Sequence, residues 1–173
     1  AHKLLREDIP DALLILAPRK PQRFQTVSKI LDQSGMSYCK WSENKDKEIK
    51  SDVLLLDTLG DLLFFYSVSK VSFVGGSLFD IGGHNLIEPA ILMKPILTGS
   101  KLDNVHEIAD QFKLNQAIII VRDHKDIASS ILELADDNEK CIKMINNAKT
   151  IIERNKGSKE KILQLIRPLL NLH

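Results

Sequence analysis

Short apolar runs, each closed by a residue that turns the chain, most constrain what this sequence can fold into. Leu13–Ala17 ends at Pro18, Val71–Val74 at Gly75 and Pro95–Thr98 at Gly99, while Val53–Leu56 and Ala117–Val121 run straight into polar segments. Runs this short, without polar alternation, suit strands buried on both faces. Met36 to Trp41 reads as a further strand, followed by a polar, lysine-rich loop from Ser42 to Ser51. Helical patterns lie between: Gln22 to Ser34, stopped by Gly35; Asp61 to Ser67; Leu86 to Met93; Val105 to Phe112. From Asp123 onward the pattern is helical, with breaks expected near Asp137 and Gly157. Strands alternating with helices need crossover connections, which make neighbours parallel and place helices on both faces. The expectation is an α/β domain, a Rossmann-like doubly wound parallel sheet of about six strands, spanning residues 1–173.

The rest of the chain fits a buried core. Its 173 residues are 43% hydrophobic and 27% charged, the balance of a globular domain. No apolar run approaches the roughly 18 residues of a membrane span, and the start lacks the basic head and apolar stretch of a signal peptide. Cys39 and Cys141 have neither disulfide density nor zinc spacing. The chain reads as soluble and cytosolic. Ala1 falls inside an amphipathic pattern (Leu4, Leu5, Ile9) with no cap before it, as in a piece of a longer chain. Charge is uneven: Lys140 to His173 holds eight basic and two acidic residues, a net +6, which leaves −5 for residues 1–139. A solvated helix face is the plain reading of that tail; nucleic acid, an anionic membrane and an acidic partner domain are the others.

In an open α/β sheet, ligands sit beyond the carboxyl ends of the strands. The segments there are Pro18-Arg19-Lys20, Asp57-Thr58-Leu59-Gly60, Gly75-Gly76-Ser77 and Gly99-Ser100-Lys101. Gly75 to Pro89 is the richest stretch. Gly75-Gly76-Ser77 follows a strand directly, where glycine lets a ligand approach the main chain. Gly82-Gly83-His84-Asn85 leads into a helix for which Asn85 is an N-cap, so its first-turn amides and dipole suit a phosphate. Glu88, three residues on, fits either a capping-box carboxylate returning to the Asn85 amide or a carboxylate gripping two sugar hydroxyls. Arg19 has a fork suited to phosphate or carboxylate, or is a plain loop arginine. His84 reads as a hydrogen-bonding spacer before an acid, base or ligand. The glycine spacing matches neither a dinucleotide fingerprint nor a P-loop, the five histidines share no ligand spacing, and no metal site is expected. Asp57 resembles a receiver's phospho-acceptor only by its place at a strand end.

The stretch Phe73-Val-Gly-Gly-Ser-Leu-Phe-Asp-Ile-Gly-Gly-His-Asn-Leu-Ile-Glu-Pro-Ala90 resembles the signature of the Kdo transferases, the 3-deoxy-D-manno-octulosonic acid transferases of lipopolysaccharide assembly. Leu13–Arg19 with Pro21 and Arg23-Phe24, and Leu56–Leu62, are similar to further family segments. The resemblance implies the carboxy-terminal half of a GT-B enzyme, the half that binds the donor CMP-Kdo. The absent amino-terminal domain would bind lipid A precursor and supply the catalytic base, leaving no catalytic residue here. By the same resemblance Arg19, the main chain of Gly75, Gly76 and Ser77, and Gly83, His84 and Asn85 hold the donor's phosphate and carboxylate. Glu88 takes the ribose hydroxyls, and Leu59 and Gly60 lie against cytosine. Catalysis is expected to need no metal or cofactor, and the parent enzyme to work at the cytoplasmic face of the inner membrane of Gram-negative cells without nucleic acid as partner. The sequence departs from the pattern at Lys20, where a histidine is usual, at Met93-Lys94, and at Gly99-Ser100-Lys101, which replaces Gly-Pro-His. The alternatives are another GT-B donor domain, of a UDP-sugar transferase or sugar 2-epimerase, and a non-catalytic Rossmann-like or receiver module.

Overall fold

A computed structural model describes residues 1–170, and their side chains as far as Asn155. Among the described residues six strands form, and every pairing among them is parallel. They are divided between two three-stranded sheets, ordered β1-β3-β2 and β4-β5-β6. In the first, β1 (Leu14–Leu16) and β2 (Tyr38–Lys40) flank β3 (Val53–Leu55); in the second, β4 (Ser72–Val74) and β6 (Ile119–Ile120) flank β5 (Ile96–Thr98). A single ladder of about six strands is therefore not what forms. At the end of β4 the Val74 carbonyl accepts from the hydroxyls of Ser77 and of Thr98, its register partner on β5.

Each sheet is covered on both faces, as uninterrupted apolar strands demand. Val53 and Leu55 pack with Leu31 of α2 (Phe24–Ser34), while Leu54 and Leu56, pointing the other way, pack with Phe65 of α4 (Leu62–Val68). In the second sheet Val74 and Ile96 meet Leu86, Phe112 of α6 (His106–Leu114), and Ala148 and Ile151 of α8 (Asn138–Leu170). Leu97 turns instead to Ile127 and Leu134 of α7 (His124–Asp136) and to Met144. The halves are joined by packing of α1 (His2–Asp8) on α7, and of α4 on α5 (Ile87–Ile91).

Local chemistry is plain at two helix boundaries. Gly35, at φ 71°, closes α2 in the left-handed conformation. Asp123 caps α7, its carboxylate accepting from the amides of Lys125 and Asp126 at 2.7 and 3.0 Å. Three expectations fail. Trp41 opens a short helix, α3 (Trp41–Asn44), rather than ending a strand, because Asp57 accepts from both the amide and hydroxyl of Ser42. α5 is only five residues long. And α8 passes Gly157 without a break, since one interior glycine costs a helix only about 1 kcal/mol; the break near Asp137 does form, between α7 and α8.

The described part of the basic tail behaves as a solvated face. Met144, Ala148, Ile151 and Ile152 bury one side of α8, while Lys143, Lys149 and Arg154 are exposed on the other. Lys140 pairs with Glu133, and Lys149 with Glu153 at 3.9 Å. The apolar positions Leu163, Ile166, Leu169 and Leu170 lie outside the residues whose side chains are described.

Candidate functional site

The segment after β4 is braced from beneath. Ser77 is fully buried; its hydroxyl donates to the Val74 carbonyl and accepts from the Gly99 amide, both at 2.8 Å. Its carbonyl accepts from the Lys101 amide at 2.9 Å. The Ser77 side chain thus serves the fold, and only its main chain faces the question of a ligand. Gly83 likewise donates its amide to the Gly76 carbonyl at 2.7 Å, closing the loop on itself rather than keeping that donor for an anion. Asn104 fixes the far limb: its side-chain amide donates to the Ile81 carbonyl at 2.8 Å and its main-chain amide to Gly82 at 2.9 Å. Sequence reasoning missed Asn104, which stands in an unremarkable polar stretch. Between these anchors Phe79 is 77% exposed.

His84 sits on the Gly76 backbone. A Cβ added at Gly76 would come within 2.8 to 3.1 Å of three imidazole atoms, and Gly76 holds φ 71°, so glycine is required there twice over. The other contact of the ring crosses the molecule: Arg19, just beyond β1, places Nη1 3.2 Å from His84 Nδ1. Arg19 and the glycine loop, far apart in sequence and on different sheets, therefore meet at the shared carboxyl edge.

Asn85 and Glu88 form a local unit. The N-cap position of α5 falls to Leu86 rather than Asn85, one residue later than expected, but Asn85 Oδ1 still accepts from the Ile87 amide at 2.9 Å and satisfies a donor at the helix start. Its Nδ2 donates to Glu88 Oε1 at 3.0 Å. The Glu88 carboxylate thus holds the Asn85 side chain rather than returning to the Asn85 main-chain amide, so the capping box does not form. Because α5 is so short, it also lacks the aligned peptides of a strong macrodipole, and the anion-binding argument from the helix loses its force. Tyr66 on α4, unnoticed in the sequence, lies close enough to feel Glu88; burial, reinforced by that charge, pushes its phenol up to about 12, so it stays a neutral hydroxyl. Its signal was weak, one aromatic in a helix rich in them.

At the end of β3, Leu59 is 74% exposed and Gly60 adopts φ 95°. Asp61 braces this loop, accepting from the Thr58 hydroxyl and from Trp41 Nε1. The Thr58 bond above all holds the Asp61 carboxyl below the ordinary range. A 340 Å³ hollow lies behind, lined by Phe24, Gln25, Ser28, Lys40 and Asp57. Asp57 itself is engaged by Ser42, as a structural brace rather than a free acceptor. Among the described residues no three His, Cys, Asp or Glu side chains gather as metal ligands, and no helix is long and apolar enough to cross a membrane. What the edge offers is a guanidinium, a carboxylate and amide groups held by neighbours. That set complements a ligand bearing both anionic groups and hydroxyls.

No family model matches the chain. It is 31% identical over 171 residues to a 3-deoxy-D-manno-octulosonic acid transferase of Haemophilus influenzae, covering 98% of this chain and 40% of that protein. A 3-deoxy-D-manno-octulosonic acid transferase of Rickettsia typhi is 29% identical over 96% of the chain and 36% of its own length. The chain thus spans about two fifths of the curated relatives it matches. The crystal structure of the C-terminal CMP-Kdo binding domain of WaaA from Acinetobacter baumannii superposes with a TM-score of 0.79 at 28% identity, covering 87% of this chain and 80% of that one. Strand pattern, glycine-rich signature, relatives and fold agree: the chain belongs to the 3-deoxy-D-manno-octulosonic acid transferase family, as the counterpart of that family's carboxy-terminal domain.

Proposed function

We propose that this chain is the donor-binding domain of a Kdo transferase: it holds CMP-Kdo while the parent enzyme, an inverting GT-B glycosyltransferase, transfers Kdo to a lipid A precursor at the cytoplasmic face of the inner membrane. The observation that carries this reading is the meeting of Arg19 with the His84–Glu88 segment at the carboxyl edge of both sheets. In it, the Arg19 fork grips the donor phosphate, and the main chain of Gly75 to Ser77 lies against the Kdo carboxylate. Glu88, steadied by Asn85, accepts from the ribose hydroxyls, and Leu59-Gly60 covers the cytosine. As the glycosidic bond to CMP breaks, negative charge grows on the phosphate, and a pre-positioned guanidinium stabilises it most where it is developing. No residue of this chain serves as base; that group and the acceptor site belong to another domain of the parent enzyme, and neither metal nor cofactor takes part.

Titration with CMP, followed by amide NMR, tests the reading. CMP is expected to bind weakly and shift Gly75–Ser77 and Asn85–Glu88, with no transfer by the chain alone. Glu88→Ala should weaken CMP by roughly tenfold while leaving thermal unfolding nearly unchanged, since a hydroxyl bonded to a charged acceptor gives up more than one bonded to a neutral group. Tighter binding of UDP than CMP would point to another GT-B donor domain. Silence at both segments would return the chain to a non-catalytic module.

A further inference from the structure

Donor binding alone does not explain why an exposed arginine on a loop rests against a histidine. Arginine has donors only, so the 3.2 Å approach of Arg19 Nη1 requires His84 Nδ1 to be an acceptor. A ring that accepts through Nδ1 is neutral and carries its proton on Nε2. Its plane is held in turn by Gly76, where any side chain would strike it. Among the described residues, and apart from the Ser69–Ser72 hydroxyl pair where the chain crosses over, this is also the one hydrogen bond between the half built on β1-β3-β2 and the half built on β4-β5-β6. A free arginine loses much rotamer freedom when it closes on an anion, and a fixed acceptor reduces that loss in advance.

We propose that His84 is a positioning residue: its bare Nδ1 aims the Arg19 guanidinium across the sheet boundary at the phosphate of the nucleotide, and the ring itself binds no anion as a cation. This deepens the donor-site reading and rests on it for the identity of the phosphate; the state of the ring does not. It also revises the role that the family resemblance implies for His84, from donor contact to support of one.

Three measurements on the full chain test it. Nitrogen-15 spectra of the ligand-free protein near neutral pH should show the Nε2–H tautomer; an imidazolium or the Nδ1–H form would overturn the proposal. Among variants, His84→Ala should weaken CMP by roughly tenfold, as expected for losing one charge-assisted bond, but leave cytidine, which has no phosphate, unchanged. His84→Asn, whose Oδ1 replaces Nδ1, should recover most of the CMP affinity, and His84→Gln, which mimics Nε2, should not. In an Arg19→Ala background, His84→Ala should cost nothing further, because its partner is already gone. Equal loss with cytidine, rescue by glutamine, or full additivity with Arg19→Ala would each refute it. If CMP binds nowhere, the donor-site reading falls, while the tautomer still stands or falls on its own spectrum.

Discussion

The two sides of the candidate cleft are built on opposite principles. On the β4 side, the loop from Gly75 to Gly83 is bonded to itself, to Gly99 and Lys101, and to Asn104, with Ser77 fully buried at its base. On the β1–β3 side, Arg19 is exposed and held by one histidine, and Leu59 stands 74% exposed on a loop braced at its two ends by Asp57 and Asp61. One side is a rigid seat and the other an adjustable cover. In the donor-site reading the Kdo carboxylate and ribose rest on the seat, while the phosphate and base are met from the other side, where Arg19 takes its aim from His84.

The contrast is tested most severely by adding one methyl group to each side. At Gly99 a Cβ would lie 2.2 Å from the Ser77 carbonyl oxygen and 2.7 Å from the Leu78 amide nitrogen. Neither atom belongs to a flexible side chain, so the backbone must part. Gly99→Ala should cost on the order of 3 kcal/mol or more, or prevent folding altogether. Gly60 has nothing within 4 Å of the equivalent position and only its positive φ to defend. Gly60→Ala should cost about 1–2 kcal/mol. Chemical denaturation of the two variants checks the difference, and equal losses would erase the distinction between seat and cover.

A smaller effect comes from hydroxyls. Ser77→Ala strips a buried donor–acceptor pair and leaves the Gly99 amide without its partner, which should cost about 1–3 kcal/mol. Thr58→Ala removes one half-buried bond to Asp61 and should cost about 1 kcal/mol or less. Comparing unfolding midpoints sharpens the claim, because both changes delete the same group from opposite sides of one cleft.

How much of this could be read in the sequence follows the same division. Buried strands announce themselves as unbroken apolar runs, and Val53–Leu56 and Pro95–Thr98 fall where that pattern places them. Glycine clusters in Gly75–Gly83 stand out in the sequence, and Gly76, Gly82 and Gly83 hold positive φ that ordinary residues resist. What the sequence hides is pairing at a distance. Asn104, Tyr66 and the Asp57–Ser42 brace matter only through neighbours that the fold supplies. Glu88 shows the limit best: the spacing offered a bond to the Asn85 main chain, and the structure uses the Asn85 side chain instead. The division into two sheets is equally invisible, since apolar runs mark strands but not which strands pair.

The smallest expected effect is one of pH, and it belongs to the adjustable side. Asp61 is held below the ordinary carboxylate range chiefly by the Thr58 hydroxyl, with Lys45 and Trp41 adding to it. A carboxylate with a lower pKa folded than unfolded contributes stability that is fully present above its unfolded value, near 4, and is lost as pH falls through its folded one. Acidification should therefore loosen the Thr58–Asp61 loop, while Asp61→Asn, which cannot titrate, should flatten the acid limb of the stability curve. The change should be modest, because the group is open to solvent and screened. Thermal unfolding between pH 3 and 7 would show it as a narrowing gap between the two proteins on the acid side. Parallel curves would mean that Asp61 does not govern the loop, and the cover would then be held by packing of Trp41 on Phe65, whose rings meet edge-on at 5.0 Å.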